Sequence, residues 1–293
     1  VVTGIASKTS KLVSDVAVSH IAVTDLTDKQ SYQTVSQLFV GKIPGVKVSI
    51  ASGNVGSGWS FFMRDGGGIN GNGQPLIYID GVRLENFTFG YDQGGQLLSS
   101  LSNLNPNDIE NIEILKGPAA ASSYGTNASN GVVLITTKQG KAGSGTLGKG
   151  YTIGYQYNYG VNSQSFKYPS SFSNADTATN PLFANDGYIR EHSLSIKGGI
   201  GLISYYASLQ NRFESGLIPE QNWMKRSNLR LNLSIVPADN LSIRLTSGYT
   251  FSKLRRPPDD NNVYGWMLNS LSYYPAYSRL KPNAILAYDD RYN

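Results

Sequence analysis

Residues 75–138 read PLIYIDGVRLENFTFGYDQGGQLLSSLSNLNPNDIENIEILKGPAAASSYGTNASNGVVLITTK. Three runs within this stretch, Leu76–Asp80, Asn111–Lys116 and Gly131–Lys138, are rich in Ile and Val and bounded by Gly, Pro, Asn or Asp, as β-strands are. Asp80-Gly81 lies between two apolar segments and predicts a two-residue hairpin turn of type I′, in which both central residues need φ > 0. Gly117-Pro118 interrupts the chain after the second run. The small residues Ala119 to Ser123 then suit one or two helical turns, ended by Tyr124-Gly125. The stretch predicts a mixed α/β unit with no evident catalytic group.

Upstream of it, Thr34, Val35, Leu38 and Phe39 have helical spacing within 31–39, before Gly41 and Pro44. Val46 to Ile50 alternates as a strand, whereas residues 1–27 show little periodicity. Gly66-Gly67-Gly68-Ile69-Asn70-Gly71 formally matches a dinucleotide fingerprint, but it leads into a strand instead of opening a helix, so it predicts a loop.

Beyond Gly140 the character of the chain changes. GKAGSGTLGKG reads as a Gly-rich linker, and a period of two follows. From Tyr151 to Tyr159 the odd positions are Tyr, Ile, Tyr, Tyr and Tyr, and the even ones Thr, Gly, Gln and Asn. Further alternating segments run through Leu194 and Ile196, Ile203 to Gln210, Asn228 to Ile235, and Leu241 to Phe251. A globular sandwich shows the same alternation. The connections discriminate: the gaps at 162–188 and 214–225 are long, and those at 198–201 and 237–240 are tight. Alternately long and short connections belong to outer-membrane barrels, with short turns on the periplasmic side. Arg230 and Arg244 are then expected to face the lumen, because an arginine facing lipid at the midplane costs about 2–4 kcal/mol.

The motifs of the first stretch resemble a known family. Glu113-Ile114-Leu115-Lys116-Gly117-Pro118, Tyr124-Gly125 and Gly131-Val132-Val133-Leu134-Ile135-Thr136-Thr137-Lys138 are similar to the plug-domain signature of TonB-dependent outer-membrane receptors. Gly41-Lys42-Ile43-Pro44-Gly45-Val46, Pro75 to Gly81 and Asn105-Pro106-Asn107-Asp108-Ile109-Glu110 narrow the resemblance to the SusC/RagA branch. Two departures stand out: Phe62-Met63-Arg64-Asp65 replaces the branch's Arg-Ile-Arg-Gly, and Gly117-Pro118 replaces its frequent Asp-Ala.

The resemblance implies a fold class: an α/β plug domain followed by antiparallel strands of an outer-membrane β-barrel of about 22 strands if complete. Five candidate strands cannot close such a barrel, so the sequence is expected to be the N-terminal part of a longer receptor. The expected organisation is an N-terminal segment at 1–30, a plug at 31–140, a linker at 141–150 and barrel strands and loops at 151–293, with a short helix near Val263–Leu271.

The implied plug-motif residues are Arg64, Asp80, Gly81, Glu113, Lys116, Gly117, Pro118, Tyr124, Gly125 and Gly131. Arg64, Glu113 and Lys116 are expected to contact inward-facing barrel charges. Val1, Val2, Thr3 and Gly4 resemble the tail of a TonB box, an extended segment that adds as a strand to its partner's sheet edge; a disordered terminus is the other reading. Phe87, Phe89 and Tyr91 form either a short strand face or a sugar- or peptide-stacking surface on a plug loop.

The expected partners are a SusD-like surface lipoprotein, the TonB–ExbB–ExbD system, outer-membrane lipid and other subunits of an outer-membrane complex, and the expected location is the bacterial outer membrane. Glycan or peptide import is the implied function. The alternative is a non-transporting structural subunit of a larger assembly. A soluble carbohydrate-binding β-protein would explain the Tyr-rich strands but not the plug motifs.

Composition restricts the chemistry. The 293 residues include 32 Gly, 19 Tyr and no Cys, which excludes disulfides, zinc–thiolate sites and a cysteine nucleophile. The net charge of +5 is scattered, unlike a nucleic-acid footprint. A mean hydropathy of −0.26 with no apolar run near 18 residues excludes a transmembrane helix but not strand spans. Val1-Val2-Thr3-Gly4 is neither basic nor followed by a long apolar core, which predicts a chain without its export leader. His20 and His192 have no ligand-spaced neighbours, Asp259-Asp260 and Asp289-Asp290 lack calcium-loop spacing, and Ser122 and Ser123 lack a nucleophile elbow. We expect no catalytic residue, metal or cofactor.

Overall fold

The computed structural model describes residues 18–27, 29–50, 53–63, 74–84, 99–116, 124–140, 151–165, 167, 169, 183–218, 220–238 and 240–257. The N-terminal domain is built on a mixed sheet of β1 (Val18–Ala22), β4 (Leu76–Ile79), β5 (Val82–Leu84), β6 (Ile109–Leu115) and β7 (Val132–Thr137). Their order is β1-β6-β7-β4-β5, with β4 and β7 parallel and the other neighbours antiparallel. A short helix α1 (Val23–Thr27) follows β1, and a separate hairpin pairs β2 (Val46–Ile50) with β3 (Trp59–Met63).

β4 (LIYI) and β7 (VVLITT) have the near-continuous apolar runs that suit burial on both faces, whereas β6 (IENIEIL) interleaves Glu and Asn with its Ile residues. Ile109, Ile112 and Ile114 of β6 and Val133 and Ile135 of β7 join Val35, Leu38, Phe39, Trp59 and Met63 in the main core. Leu115 and Val132 form a smaller cluster with Val18 and Ala128 on the other side. Asp80 and Gly81 have φ of 50° and 87°, and Ile79 pairs with Val82, so the expected two-residue hairpin is present.

Some expectations are corrected. The helix expected over 31–39 is one 3₁₀ turn, Val35–Leu38, because Gly41 and Gly45 take the left-handed conformation at φ 71° and 76° and turn the chain away. β1 and β3 are additional strands. The first reads VSHIA, too short and mixed to show a period, and becomes a strand by pairing Val18 with Leu115 through Ala22 with Asn111. The expected helical turn at 119–123 and the helix near Val263–Leu271 lie outside the described residues.

The second sheet contains β8 (Tyr151–Asn162), β9 (Gly187–Ile200), β10 (Ile203–Ser215), β11 (Trp223–Ala238) and β12 (Leu241–Arg255), an antiparallel meander. The five alternating segments are all strands, each longer than its clean alternation, and the short turns fall after β9 and β11 as expected. Because side chains alternate between faces, register stacks like with like. One outward row reads Tyr155, Leu194, Leu209, Leu229 and Tyr249 across all five strands. The inward rows are polar: Gln210 lies beside Ser193 and Asn228, and Ser208 beside Ser195 and Arg230. The apolar face is exposed, with Tyr155 at 65% and Phe251 at 58%, which suits lipid and not water. No helix among the described residues is long and apolar enough to cross a membrane.

Gly131 closes the turn into β7 at φ 96°, and a Cβ there would stand 2.8 Å from the Leu115 carbonyl oxygen and 2.7 Å from Met63 Cε. Gly131→Ala is expected to destabilise the N-terminal domain by about 2 kcal/mol or more, from left-handed backbone strain plus the clash. Faster amide exchange across β6 and β7 would report it.

Candidate functional site: the interface between the two sheets

The inward face of β10 and β11 is where the N-terminal domain docks, and hydrogen bonds make the contact. Arg230 Nη2 meets Asp80 Oδ2 at 2.8 Å, both side chains being over nine-tenths buried. The hairpin turn holds Asp80 in place, and so does β7: the Thr137 amide donates to its Oδ1 at 2.9 Å and Thr137 Oγ1 to its Oδ2 at 2.7 Å. Asn232 Nδ2 reaches Thr137 Oγ1 and the Lys138 carbonyl. A removed partner would leave a buried charge, so the pair fixes where the turn sits on the strand.

A second contact comes from the 3₁₀ turn at Pro106–Asp108, which Asn105 caps by accepting from the Asn107 amide at 3.0 Å. Asp108 Oδ1 accepts from Tyr206 OH at 2.8 Å and Ser208 Oγ at 2.6 Å. Gln210 Nε2 donates to Asn105 Oδ1 at 3.0 Å, and Asn228 Nδ2 donates to Gln210 Oε1 at 2.7 Å. Burial pushes the Asp108 carboxyl above the usual carboxylate range, while the Ser208 and Tyr206 hydrogen bonds, the Arg230 charge and Asn105 pull the other way.

Towards the ends of the long connections, Arg226 Nη1 donates to the Ser102 carbonyl, and Arg212 Nη1 donates to the Gln33 carbonyl at 3.1 Å. Arg212 also pairs with Glu191 at 3.0 Å and Glu214 at 2.6 Å. Asn222 bridges to Asn54 and to the Val55 amide. Beside β8 and β9 the fit is looser. A cavity of about 170 Å³ lies between Asn105, Asp108 and Lys138 on one side and Gln156 and Ser193 on the other. A second, of about 260 Å³, lies between Gln33 and Asn158, Glu191 and Arg212.

Of the motif residues, Asp80 and Gly81 thus form the docking turn, and Arg230 faces inward as expected, onto a carboxylate instead of open water. Lys116 Nζ donates to the Pro44 carbonyl at 2.8 Å within its own domain, not to a barrel charge. Glu113 is buried on β6 opposite His20 of β1. Tyr124 stacks on Tyr78 with ring centroids 5.2 Å apart, and burial, with Tyr78 and Glu113 adding, holds its phenol above the ordinary range. Gly125 and Gly131 take φ of 84° and 96°. Val1 to Gly4, Arg64, Phe87, Phe89, Tyr91, Gly117 and Pro118 lie outside the described residues. In the sequence Asn105 and Asp108 stand out only as family markers. A cap residue and an acid on one turn, facing a strand of Ser and Gln, was the signal that could have named them as contacts. The described residues contain no cluster able to hold a metal ion.

Comparison with known proteins decides the family. The model of the TonB-dependent receptor plug domain matches residues 10–132. TonB-dependent receptor SusC of Bacteroides thetaiotaomicron is 30% identical over 261 residues, covering 83% of this chain and 25% of that protein. The chain belongs to the TonB-dependent receptors, on their SusC/RagA branch. The vitamin B12 transporter BtuB of Vibrio vulnificus is 31% identical over 174 residues, covering 58% of this chain and 24% of that protein. In fold, the RagAB peptide importer in its open-open state superposes with a TM-score of 0.68 at 19% identity, over 87% of this chain and 32% of that one. The chain spans about a quarter of the length of the curated relatives it matches. The first sheet is therefore the plug, the second is barrel wall, and the location is the outer membrane.

Two outcomes test the interface. Arg230→Met, which leaves the Asp80 charge buried without its counter-charge, is expected to weaken plug docking by about 3–5 kcal/mol, and Asp80→Asn in the same chain to recover part of it. Amide exchange of the plug in the full-length receptor measures both. A carboxyl raised above its unfolded value stabilises most below that value and loses the contribution as pH rises through the raised one. Asp108→Asn, which keeps an acceptor for Tyr206 and Ser208, is expected to remove this acid-side dependence and to leave docking at neutral pH as strong or stronger.

Proposed function

We propose that the receptor imports glycans or peptides across the outer membrane, with a SusD-like surface lipoprotein as lid and the TonB–ExbB–ExbD system as its energy source. The polar character of the plug–barrel contact carries this reading. Tyr206, Ser208, Gln210, Arg226, Asn228, Arg230 and Asn232 are buried against the plug, and their hydrogen bonds can be exchanged for water when the plug moves. An apolar weld would resist that exchange, because separation would expose hydrophobic area. A seal made of hydrogen bonds is tight at rest and opens locally at modest cost, as gating requires. The cavities beside β8 and β9 mark the side on which least has to break.

In this reading Val1 to Gly4 end the segment on which TonB pulls, and Phe87, Phe89 and Tyr91 stack on substrate. The plug is assigned to 31–140 and the linker to 141–150. A peptide cargo has the example of RagAB, described as a peptide importer. A non-transporting scaffold would have no need for a seal that separates without exposing apolar surface.

The test is uptake by cells carrying the full-length receptor, with labelled oligosaccharide and peptide pools. Deleting residues 1–4 is expected to abolish uptake without changing the amount of receptor in the membrane. Normal insertion with no uptake of either pool by the parent receptor would leave the structural-subunit reading instead.

A further inference from the structure

The outward face of β8–β12 carries no Asp or Glu at any described position, and its four Lys or Arg residues all lie at one end. Arg190, Phe213, Lys225 and Lys253 share one row with Tyr159. Arg255 stands in the next row, beside Trp223 and Ser215. That end is where the long connections 163–186 and 216–222 leave the sheet, hence the extracellular side.

Height along the strand is decisive. Rows on one face repeat every ~6.8 Å. From the Ile200, Ile203, Ile235 and Ile243 row to the Arg190 row is five steps. Five steps make about 34 Å along the strand, or about 26 Å along the membrane normal at the usual ~40° tilt. An outer-membrane barrel's apolar band is about 25 Å tall. The cations therefore stand at the edge of the band, where lipid headgroups begin.

Two features show that these charges have no counter-charge among the described residues. Lys225 and Lys253 are directly opposed neighbours on β11 and β12, a like-charge cross-strand pair that is unfavourable by itself. None of the four cations forms an ion pair with a described residue. Arg190 and Lys225 instead flank the Phe213 ring, their charges 5.7 Å and 5.9 Å from its centroid, and Lys225 also lies 5.5 Å from the Trp223 ring. The rings hold two cations towards one another on an apolar floor.

We propose that Arg190, Lys225 and Lys253, with Arg255 above them, bind the phosphate of a phosphorylated lipid headgroup in the outer leaflet while Phe213 and Trp223 receive the top of its acyl region. Basic groups between apolar surface and water are suited to such headgroups. The inference rests on the barrel reading but not on transport.

The test uses the full-length receptor in nonionic detergent, with native mass spectrometry counting retained lipid. The probes are a phosphorylated outer-leaflet glycolipid, the same lipid after dephosphorylation, and inorganic phosphate. Retention of the phosphorylated lipid is expected, with at least about a tenfold loss in a Lys225→Gln/Lys253→Gln variant. Lys197→Gln, at the opposite end of the sheet, is expected to change nothing. Equal retention of the dephosphorylated lipid, retention unaffected by the double substitution, or displacement by stoichiometric inorganic phosphate would each overturn the proposal. So would loss of a co-purifying acidic chain with lipid retained, which would make the row a protein contact. Nutrient uptake in the same variants separates the two proposals: lipid retention without uptake would remove only the transport reading, and uptake without lipid retention only this one.

Discussion

A charge removed from water must find a partner, and the inner face of this sheet is crowded with groups under that constraint. Arg212, Arg226, Arg230, Glu191, Asn228 and Asn232 are all buried there. In an empty barrel they would be solvated. With the plug in place, Arg230 meets Asp80, and Arg212, Arg226 and Asn232 donate to Gln33, Ser102, Thr137 and Lys138 of the plug, while Glu191 and Asn228 bond to neighbours within the sheet. The docked position is specified largely by direction-dependent contacts, with a smaller apolar contact where Val55 and Gly56 lie near Met224 and Leu254.

The two faces of the second sheet obey opposite rules for the same reason. Outside, no water is available to hydrogen bond, so the described positions between the turns and the basic row carry Ile, Leu, Tyr and Ala with few polar exceptions. Inside, the polar side chains meet either the plug or space that water can fill. A strand with a period of two can satisfy both sides only if its register is held, because a slip by one residue would exchange the faces. The uninterrupted pairing of β9 with β10 and β10 with β11 holds that register over more than ten residues. The same register lines up Arg190, Lys225 and Lys253 at one height.

The plug places its contacts on short turns whose own geometry is rigid. Asp80 stands in a tight hairpin with positive φ, and Asn105 and Asp108 bracket a capped 3₁₀ turn. The strands behind them are packed in the domain core. A force applied at the N-terminus would reach these turns through β1, which pairs with β6 along its whole length.

Much of the architecture was legible in the chain itself, because strand alternation and turn chemistry are local. The odd and even positions from Tyr151 onward, the lengths of the connections and the Asp80-Gly81 hairpin follow from residue order. The plug motifs carried the family. β1 and β3 were not legible, since a five-residue segment becomes a strand only when a partner offers an unpaired edge. Nor were the contacts: by sequence Lys116, and not Asp80, is expected to meet a barrel charge, yet the first bonds to Pro44 and the second to Arg230, about 150 residues on in the chain. Sequence alone determined which residues alternate and where the chain turns. Only the tertiary structure decided which plug side chain meets which barrel side chain, because a hydrogen bond depends on direction and distance between segments whose separation along the chain says nothing about their positions in space.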